Sequence, residues 1–407
     1  MTREVAWSFS TKGVSLLFFL ILNIYLARKF GVDGFGLWSL FLSIVTIFFT
    51  LSYFGLNAST KKFVAQYNQT KNLKNILSSS FRLRIIISFI FSLIFLSIHK
   101  KIAYFLGSEK LDYLFLLSVP LIFLSGIIDY FKNVFTGLLK IKYNFVVNFT
   151  EYGLKLFLVV LFANSIVAVL NFYILALFIA SFFGFYFIYF CFYKNLKTSN
   201  KNFSKEILNY SYPLFFITFG FLALTEIDIV MIGLFSTTRE VGVYSVAKQI
   251  ISKLPHISLA IVMGTMPVFA KINYKNKKNL KFLFDKIIMI NFLVFLAIVL
   301  GILTLAPFFI PLLFGDQFLG SVLPLRILTF YLLAFSISII LNNFLDYTGR
   351  ARKRATNISI TIILNIFLNF ILIPRYGAVG AAISTSVSYL PYVILNWFEV
   401  KKIFRSI

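Results

Sequence analysis

The sequence predicts an all-α integral membrane protein with about 12 transmembrane helices in two six-helix bundles around a central cavity. Hydrophobic residues make up 59% of the 407 positions and charged residues only 13%, whereas soluble domains are nearer half apolar and a quarter charged. The apolar residues also form long runs that alternate with short lysine-rich connectors. We therefore expect lipid, rather than one water-soluble core, to surround most of the chain.

Twelve apolar runs are long enough for membrane spans, since a helix needs about 20 residues to cross ~30 Å of hydrocarbon. The first run leads into the second without a convincing cleavage site, so we interpret it as a retained helix rather than a signal peptide. The predicted spans are 10–28, 36–55, 80–98, 111–131, 145–165, 170–193, 208–234, 242–268, 287–314, 318–346, 356–373 and 378–398.

The basic residues are distributed unevenly between the two sides of these spans. When the spans alternate, 28 Lys and Arg residues, Arg84 and Lys132 among them, fall on the side of the N-terminus, 7 fall on the other side and 4 lie within spans. The positive-inside rule therefore predicts that both termini are cytoplasmic. Because the net charge of +25 lies mainly in connectors, we do not expect a nucleic-acid partner.

A polar stretch in the middle of the chain divides the spans six and six. We predict an N-terminal six-helix bundle at 1–193, a cytoplasmic linker at 194–207 and a C-terminal six-helix bundle at 208–407. Residues 34–39 (GFGLWS) and 240–245 (EVGVYS) open the second and eighth spans in a similar way. Such duplicated bundles are typical of transporters whose substrate path lies between the halves.

Ionisable residues inside spans are candidates for function, because each costs about 2.5–3.5 kcal/mol at the centre of the bilayer on insertion scales. Lys248 and Lys253 lie on a polar stripe of the eighth span. They either bind substrate or pair with acids. Asp228 in the seventh span either neutralises one of these lysines or couples transport to an ion.

Other spans carry further polar groups. Glu151 and Lys155, at i,i+4 spacing in the fifth span, form either a packed ion pair or part of a cavity lining. Lys12 starts the first span and either lies at the membrane interface or contributes to function. Arg326 lies ~12 Å along the tenth span, where it either reaches the outer interface or binds phosphate through its planar guanidinium. Residues at i+4 spacing in the eleventh span favour hydrogen bonds between helices over a binding site: Asn357, Thr361, Asn365 and Asn369.

The sequence contains none of the patterns expected of an enzyme. It has no glycine-rich phosphate loop, and its two histidines, His99 and His256, have no metal-ligand spacing. Cys191 is the only cysteine. We therefore expect no catalytic residue, no metal site and no cofactor.

Three segments resemble the bacterial polysaccharide flippases, which export O-antigen and capsule repeat units and belong to the multidrug/oligosaccharidyl-lipid/polysaccharide exporter superfamily. They are 27–38 (ARKFGVDGFGLW), 228–248 with its DIVMIG and VGVYSVAK phrases, and 364–385 with its LNIFLN and IPRYGAVGAAIST phrases. The resemblance implies a flippase that moves an undecaprenyl-pyrophosphate-linked oligosaccharide to the outer leaflet by alternating access. It also implies the bacterial cytoplasmic (inner) membrane, contact with membrane lipids and lipopolysaccharide or other polysaccharide biosynthesis, with H+ or Na+ left open as coupling ion.

A substrate of this kind carries an anionic pyrophosphate, which suggests roles for the charged residues within the spans. We expect the cations to hold the pyrophosphate by charge-assisted hydrogen bonds, and they are Lys12, Lys155, Lys248, Lys253 and Arg326. The acids Asp228 and Glu151 are the expected counter-charges or ion-coupling groups.

Three other functions compete with this interpretation. A multidrug or toxin cation antiporter of the same superfamily should show a conspicuous acidic pocket, whereas cations are at least as prominent here. A membrane polysaccharide polymerase commonly carries a large external loop, and the longest outward connector here has only about a dozen residues. A membrane scaffold that transports nothing would tolerate charge reversal inside its spans.

Overall fold

A computed structural model describes residues 2–194, 196, 201–262, 277–348 and 350–406, and it assigns helix to nearly all of them and a strand to none. Eight helical segments within these ranges are long and apolar enough to cross a membrane. Two of the eight, Ala6–Gln66 and Arg352–Phe404, are longer than a single span requires. The chain is therefore a multi-pass membrane protein, and the predicted all-α membrane fold is confirmed.

Seven helices precede the polar stretch in mid-chain. They are α1 (Thr2–Tyr53), α2 (Leu56–Gln66), α3 (Leu73–Phe105), α4 (Glu109–Leu117), α5 (Val119–Gly137), α6 (Ile141–Phe162) and α7 (Ile166–Ile188), the last continued by a π-helical turn, Tyr189–Tyr193. The fourth predicted span, 111–131, begins in α4 and continues in α5. The structure thus divides that span in two.

In the described part of the chain after this stretch, we label five helices. They are α8 (Ser204–Phe235), α9 (Thr238–Lys253), α10 (Lys277–Phe314), α11 (Val322–Tyr347) and α12 (Ala351–Ser406), with a 3-10 turn, Asp316–Ser321, before α11. Residues 255–262 are also helical. The predicted span 242–268 therefore coincides with helix up to residue 262, and its last residues lie outside the described ranges.

Each of the two longest helices contains two predicted spans, separated by a glycine with a left-handed backbone. In α1 this residue is Gly31, with φ 69° and ψ −178°, and in α12 it is Gly377, with φ 53° and ψ −128°. Glycine adopts positive φ without the steric penalty of a Cβ. The Glu240 carboxylate fixes the second kink, because its Oε2 accepts a hydrogen bond of 2.8 Å from the Ala378 N–H.

The chain divides into two compact units, and both are discontinuous in sequence. Unit 1 comprises residues 1–29 and 41–222, and unit 2 comprises residues 30–40 and 223–407. The second boundary lies inside α8 rather than in the polar stretch, of which residues 195 and 197–200 are outside the described ranges. The proposed division into 1–193, 194–207 and 208–407 stays a prediction.

Within unit 2, the two glycine motifs noticed in the sequence pack against each other. A Cβ placed on Gly36 would overlap the Thr238 carbonyl oxygen, and one placed on Gly242 would overlap the carbonyl oxygen of Val32. Helix backbones can approach this closely only where both surfaces lack side chains. The two copies of the motif therefore form each other's contact surface.

Candidate functional site

Glu151 on α6 is the centre of a buried charged cluster in unit 1. Its Oε1 lies 2.6 Å from Lys155 Nζ, one turn along the same helix, and its Oε2 lies 2.6 Å from Lys132 Nζ on α5. Only 4% of Glu151 is exposed. The ion pair between Glu151 and Lys155 is therefore present, and Lys132 is a second partner of Glu151. Lys132 lies within α5, and its prediction as a residue of a cytoplasmic connector is wrong.

Tyrosine rings surround the two ammonium groups. Lys155 Nζ lies 5.3 Å from the ring centroid of Tyr152 and 5.0 Å from that of Tyr173 on α7. Lys132 Nζ lies 5.6 Å from the Tyr152 ring centroid. Aromatic rings attract cations through the negative potential of their faces. The lysines are thereby positioned by α5, α6 and α7 together.

The cluster continues through α5 to α2 and α3. Asp129 Oδ1 lies 3.9 Å from Lys132 Nζ, and Asn57 Nδ2 donates to Asp129 Oδ2 at 3.5 Å. Asn57 accepts in turn from Arg84 Nη2. Arg84 is fully buried, and its Nε and Nη1 have no hydrogen-bond partner among the described residues. The prediction that Arg84 belongs to a connector is therefore wrong, because Arg84 is buried within α3.

We call these side chains the Glu151 cluster: Asn57, Arg84, Asp129, Lys132, Glu151, Tyr152, Lys155 and Tyr173. It contains three basic groups and two carboxylates, so one positive charge has no acidic counterpart inside the cluster. A buried charge is retained only where it is paired, hydrogen-bonded or used. The arrangement can therefore accept an anion.

Asp228 on α8 forms a second cluster, in unit 2. Its Oδ2 accepts hydrogen bonds from the Tyr244 hydroxyl at 2.7 Å and from the Thr385 hydroxyl at 2.8 Å. Its Oδ1 accepts from Asn369 Nδ2 at 2.7 Å, and Asn369 Nδ2 also donates to Asn365 Oδ1 at 3.1 Å. We call these five residues the Asp228 cluster. Asp228 is 98% buried, and the described groups that donate hydrogen bonds to its carboxylate are all neutral.

No described basic side chain lies within 4.0 Å of Asp228. Of the two alternatives for Asp228, the structure does not show pairing with Lys248, because Lys248 Nζ instead lies 3.7 Å from Glu226 and donates to the Thr225 carbonyl. Lys253 also interacts electrostatically with Glu226. The two lysines of α9 thus share an acid that the sequence interpretation left without a role.

The remaining predicted site residues lie apart from both clusters. Lys12 is exposed on α1. Arg326 on α11 is half-buried, and its Nε donates to the Leu303 carbonyl at 3.0 Å. Of the five predicted cations, the structure therefore brings only Lys155 into the Glu151 cluster.

The amides of α12 join helices, as their spacing indicated. Asn369 bonds to Asp228 on α8, and Asn357 donates to Asn396 Oδ1 at 2.8 Å across the two arms of α12. Asn396 in turn donates to Asn342 Oδ1 on α11 at 3.2 Å. These bonds satisfy polar groups that would otherwise face hydrocarbon. Asn369 serves in addition as a direct ligand of the buried carboxylate.

Comparison with protein families gives two matches. Residues 1–273 match the family described as "Polysaccharide biosynthesis protein", and residues 213–371 match the family described as "MatE". The first match covers more than half of the chain. The two matches overlap in α8 and α9.

Two relatives illustrate the range of similar proteins. The chain is 25% identical over 418 residues to "Uncharacterized membrane protein MJ1375" of Methanocaldococcus jannaschii, with 98% of this chain and 96% of the relative covered. It is 25% identical over 201 residues to "Probable low-salt glycan biosynthesis flippase Agl15" of Haloferax volcanii. The latter alignment covers 49% of this chain and 42% of the relative.

Solved structures share the fold. The lipid II flippase MurJ in an inward closed conformation superposes with a TM-score of 0.78 at 19% identity, covering 98% of this chain and 87% of MurJ. An inward-facing MATE family multidrug resistance transporter of the MOP superfamily gives 0.77 at 16% identity, covering 96% and 95%. At these identities the likeness establishes the architecture alone. The same architecture thus serves a lipid flippase and a multidrug transporter.

Proposed function

Because the chain belongs to the polysaccharide biosynthesis protein family, we propose that it is a flippase for a lipid-linked glycan. The substrate is an undecaprenyl-pyrophosphate-linked oligosaccharide, such as an O-antigen or similar repeat unit, which moves from the cytoplasmic to the outer leaflet by alternating access. The membrane is the bacterial cytoplasmic membrane, and both termini are cytoplasmic. The observation that carries this proposal is the excess of cations in the Glu151 cluster.

The physical problem of such a substrate is its polar headgroup. Each sugar hydroxyl that loses water without gaining a partner costs roughly 2–7 kcal/mol, depending on the reference state, and the pyrophosphate adds buried charge. Lys132, Lys155 and Arg84 supply positive charge inside helices of membrane length. Charge-assisted hydrogen bonds to phosphate lower the cost of its crossing. No covalent chemistry is needed for this step.

The Asp228 cluster is suited to coupling transport to an ion. Three neutral groups donate hydrogen bonds to this carboxylate, and no described basic side chain forms an ion pair with it. Binding of H+ or Na+ would neutralise it and weaken or rearrange those bonds. Since Tyr244, Asn369 and Thr385 come from α9 and the two arms of α12, this change would act on three helical segments.

A multidrug or toxin cation antiporter is the second candidate. The buried Asp228 carboxylate favours it, because an organic cation could replace the coupling ion there, and the MatE match includes this residue. The Glu151 cluster argues against it, since that carboxylate is held by two lysines. A polysaccharide polymerase is less well supported, because the relative Agl15 is named a probable glycan biosynthesis flippase.

The test is transport by the purified full-length chain in proteoliposomes. The probe is undecaprenyl-pyrophosphate trisaccharide with a nitrobenzoxadiazole dye on its terminal sugar, and external dithionite bleaches only the outer leaflet. We expect proteoliposomes to lose all of the dye signal and protein-free vesicles to lose about half, because unaided crossing is slow. Loss of half the signal with protein present, together with ethidium uptake driven by a proton or sodium gradient, would contradict the flippase and support the antiporter.

A further inference from the structure

Glu151 makes the same contacts that a phosphate group would make in its place. Its two oxygens each lie 2.6 Å from a different lysine ammonium, and carboxylate and phosphate oxygens compete for such donors. Of the described carboxylates, only Glu151 lies within ion-pair distance of Lys155. The lysine pair is therefore already occupied by an anion that belongs to the protein.

We propose that Lys132 and Lys155 form the pyrophosphate subsite, and that Glu151 occupies it as an internal anion until a proton neutralises its carboxylate. This inference rests on the proposed flippase function and describes the regulation of that site. Protonation converts COO⁻ to COOH at Glu151 and removes one negative charge. Lys155 then has no described carboxylate within ion-pair distance and Lys132 retains only Asp129 at 3.9 Å, so a pyrophosphate diester with two negative charges can replace Glu151.

The energetics favour exchange of one anion for another at the lysine pair over a lysine pair with no bound anion. Breaking a buried ion pair by removing one partner is strongly unfavourable, because a buried charge is left uncompensated. A protonated Glu151 places the lysine pair in that situation, and the incoming pyrophosphate relieves it. Conversely, a charged Glu151 expels the pyrophosphate by reclaiming both lysines. One proton would thus accompany each binding event at this subsite.

The groups that surround Glu151 do not substitute for it. Asp129 faces Lys132 from the far side at 3.9 Å and is also held by Asn57, which links it to Arg84. Neither lysine is fully enclosed by protein, since 16% of the Lys132 side chain and 11% of the Lys155 side chain are exposed. The neighbouring ionisable groups are Asp129 and Lys132 on α5, Tyr152 and Lys155 on α6, Tyr173 on α7, and Glu4 and Lys29 of α1 at the ends of α6.

The experiment measures binding of P1,P2-dimethyl pyrophosphate, whose two charges are fixed between pH 5 and 9, to the full chain in nanodiscs. At pH 7.5 we expect Glu151→Gln to bind it at least about tenfold more tightly than the wild type, or about 1.4 kcal/mol. Adding Lys132→Met or Lys155→Met should cancel the gain. The matched control is Asp112→Asn, a carboxylate on α4 whose side chain is 38% exposed, and its affinity should equal that of the wild type.

A second measurement needs no variant and holds even if Glu151→Gln fails to fold. Wild-type affinity for the probe should rise at least about tenfold as the pH falls from 8 to 5, because each proton bound at Glu151 frees the lysines. Affinity that is independent of pH, or equal in wild type and a folded Glu151→Gln, would overturn the inference. If wild type still flips the labelled lipid, only the exchange fails. Tight probe binding without flipping would instead remove the flippase proposal and leave the anion site.

Discussion

Asn369 donates a hydrogen bond of 2.7 Å to Asp228 and so joins the first arm of α12 to α8. Thr385, beyond the Gly377 kink, bonds to the same carboxylate from the second arm, and Tyr244 does so from α9. One side chain therefore connects four helical segments of unit 2. A change in its charge reaches all of them without an intermediate.

Replacing Asp228 with Asn should lower both stability and transport. The side chain keeps its shape, but one acceptor oxygen becomes an NH2 group that faces either Asn369 or the two hydroxyls. An unmatched buried polar group costs about 1–3 kcal/mol. Thermal unfolding in detergent should show the loss, and the dithionite assay should show at least a tenfold slower flip. Asp316→Asn, which alters an exposed carboxylate of the same unit, should leave both unchanged.

Glu240 should be needed to hold the kink of α12. In Glu240→Ala the Ala378 N–H loses its acceptor, and we expect a loss of about 1–2 kcal/mol in unfolding free energy for that bond. Glu240→Gln retains a side-chain oxygen and should recover most of the loss. Thermal unfolding followed by tryptophan fluorescence can compare the stabilities of the two variants. Equal melting of the Ala and Gln variants would show that the oxygen is not the relevant group.

Gly36 and Gly242 should not tolerate even a methyl group. A Cβ at either position overlaps a backbone carbonyl oxygen that no rotamer change can move away, so Gly36→Ala and Gly242→Ala should each separate the two motif copies. We expect a lower yield of monodisperse protein and a melting temperature reduced by several degrees, since overpacking typically costs about 1–3 kcal/mol. Gly13→Ala is the control, because nothing lies within 4 Å of its Cβ.

Lys248→Ala and Lys253→Ala test the predicted cations of unit 2. If these lysines contact substrate, each substitution should reduce surface polysaccharide in cells while the amount of membrane-inserted protein stays constant. Replacing Lys248 also removes its ion pair of 3.7 Å with half-buried Glu226, so inserted protein must be quantified by immunoblot. Lys100→Ala changes an exposed lysine and should export normally. Unchanged export in both variants would reject a substrate role for these lysines.

Apolar runs were sufficient to predict most of the membrane helices, and local periodicity was sufficient to indicate the Glu151–Lys155 pair. An i,i+4 relationship is fixed by helix geometry alone, and the observed N···O distance of 2.6 Å agrees with it. The same reasoning missed Lys132, because a hydropathy window ends α5 at residue 131 whereas the helix continues to Gly137. Hydropathy alone does not distinguish a lysine that forms an ion pair inside the membrane from a lysine at the membrane interface.

The partners of Asp228 could not be predicted, since they are 16, 141 and 157 residues away in the chain. Charge complementarity suggested Lys248 or Lys253 as a partner. Tertiary packing instead places neutral donors around the carboxylate. Sequence patterns indicate which side chains share one face of a helix. They do not indicate which face of which neighbouring helix packs against it.

The discontinuous make-up of unit 2 has a consequence for biogenesis. Residues 30–40 emerge from the ribosome roughly 10–40 s before residue 223 at synthesis rates of 5–20 residues per second, yet they pack on α9 through Gly36. During that interval the 30–40 segment of α1 lies in the translocon or the lipid without α9 packed against it. A nascent chain that stops after α7 would present the bare glycine surface to chaperones and quality-control proteases.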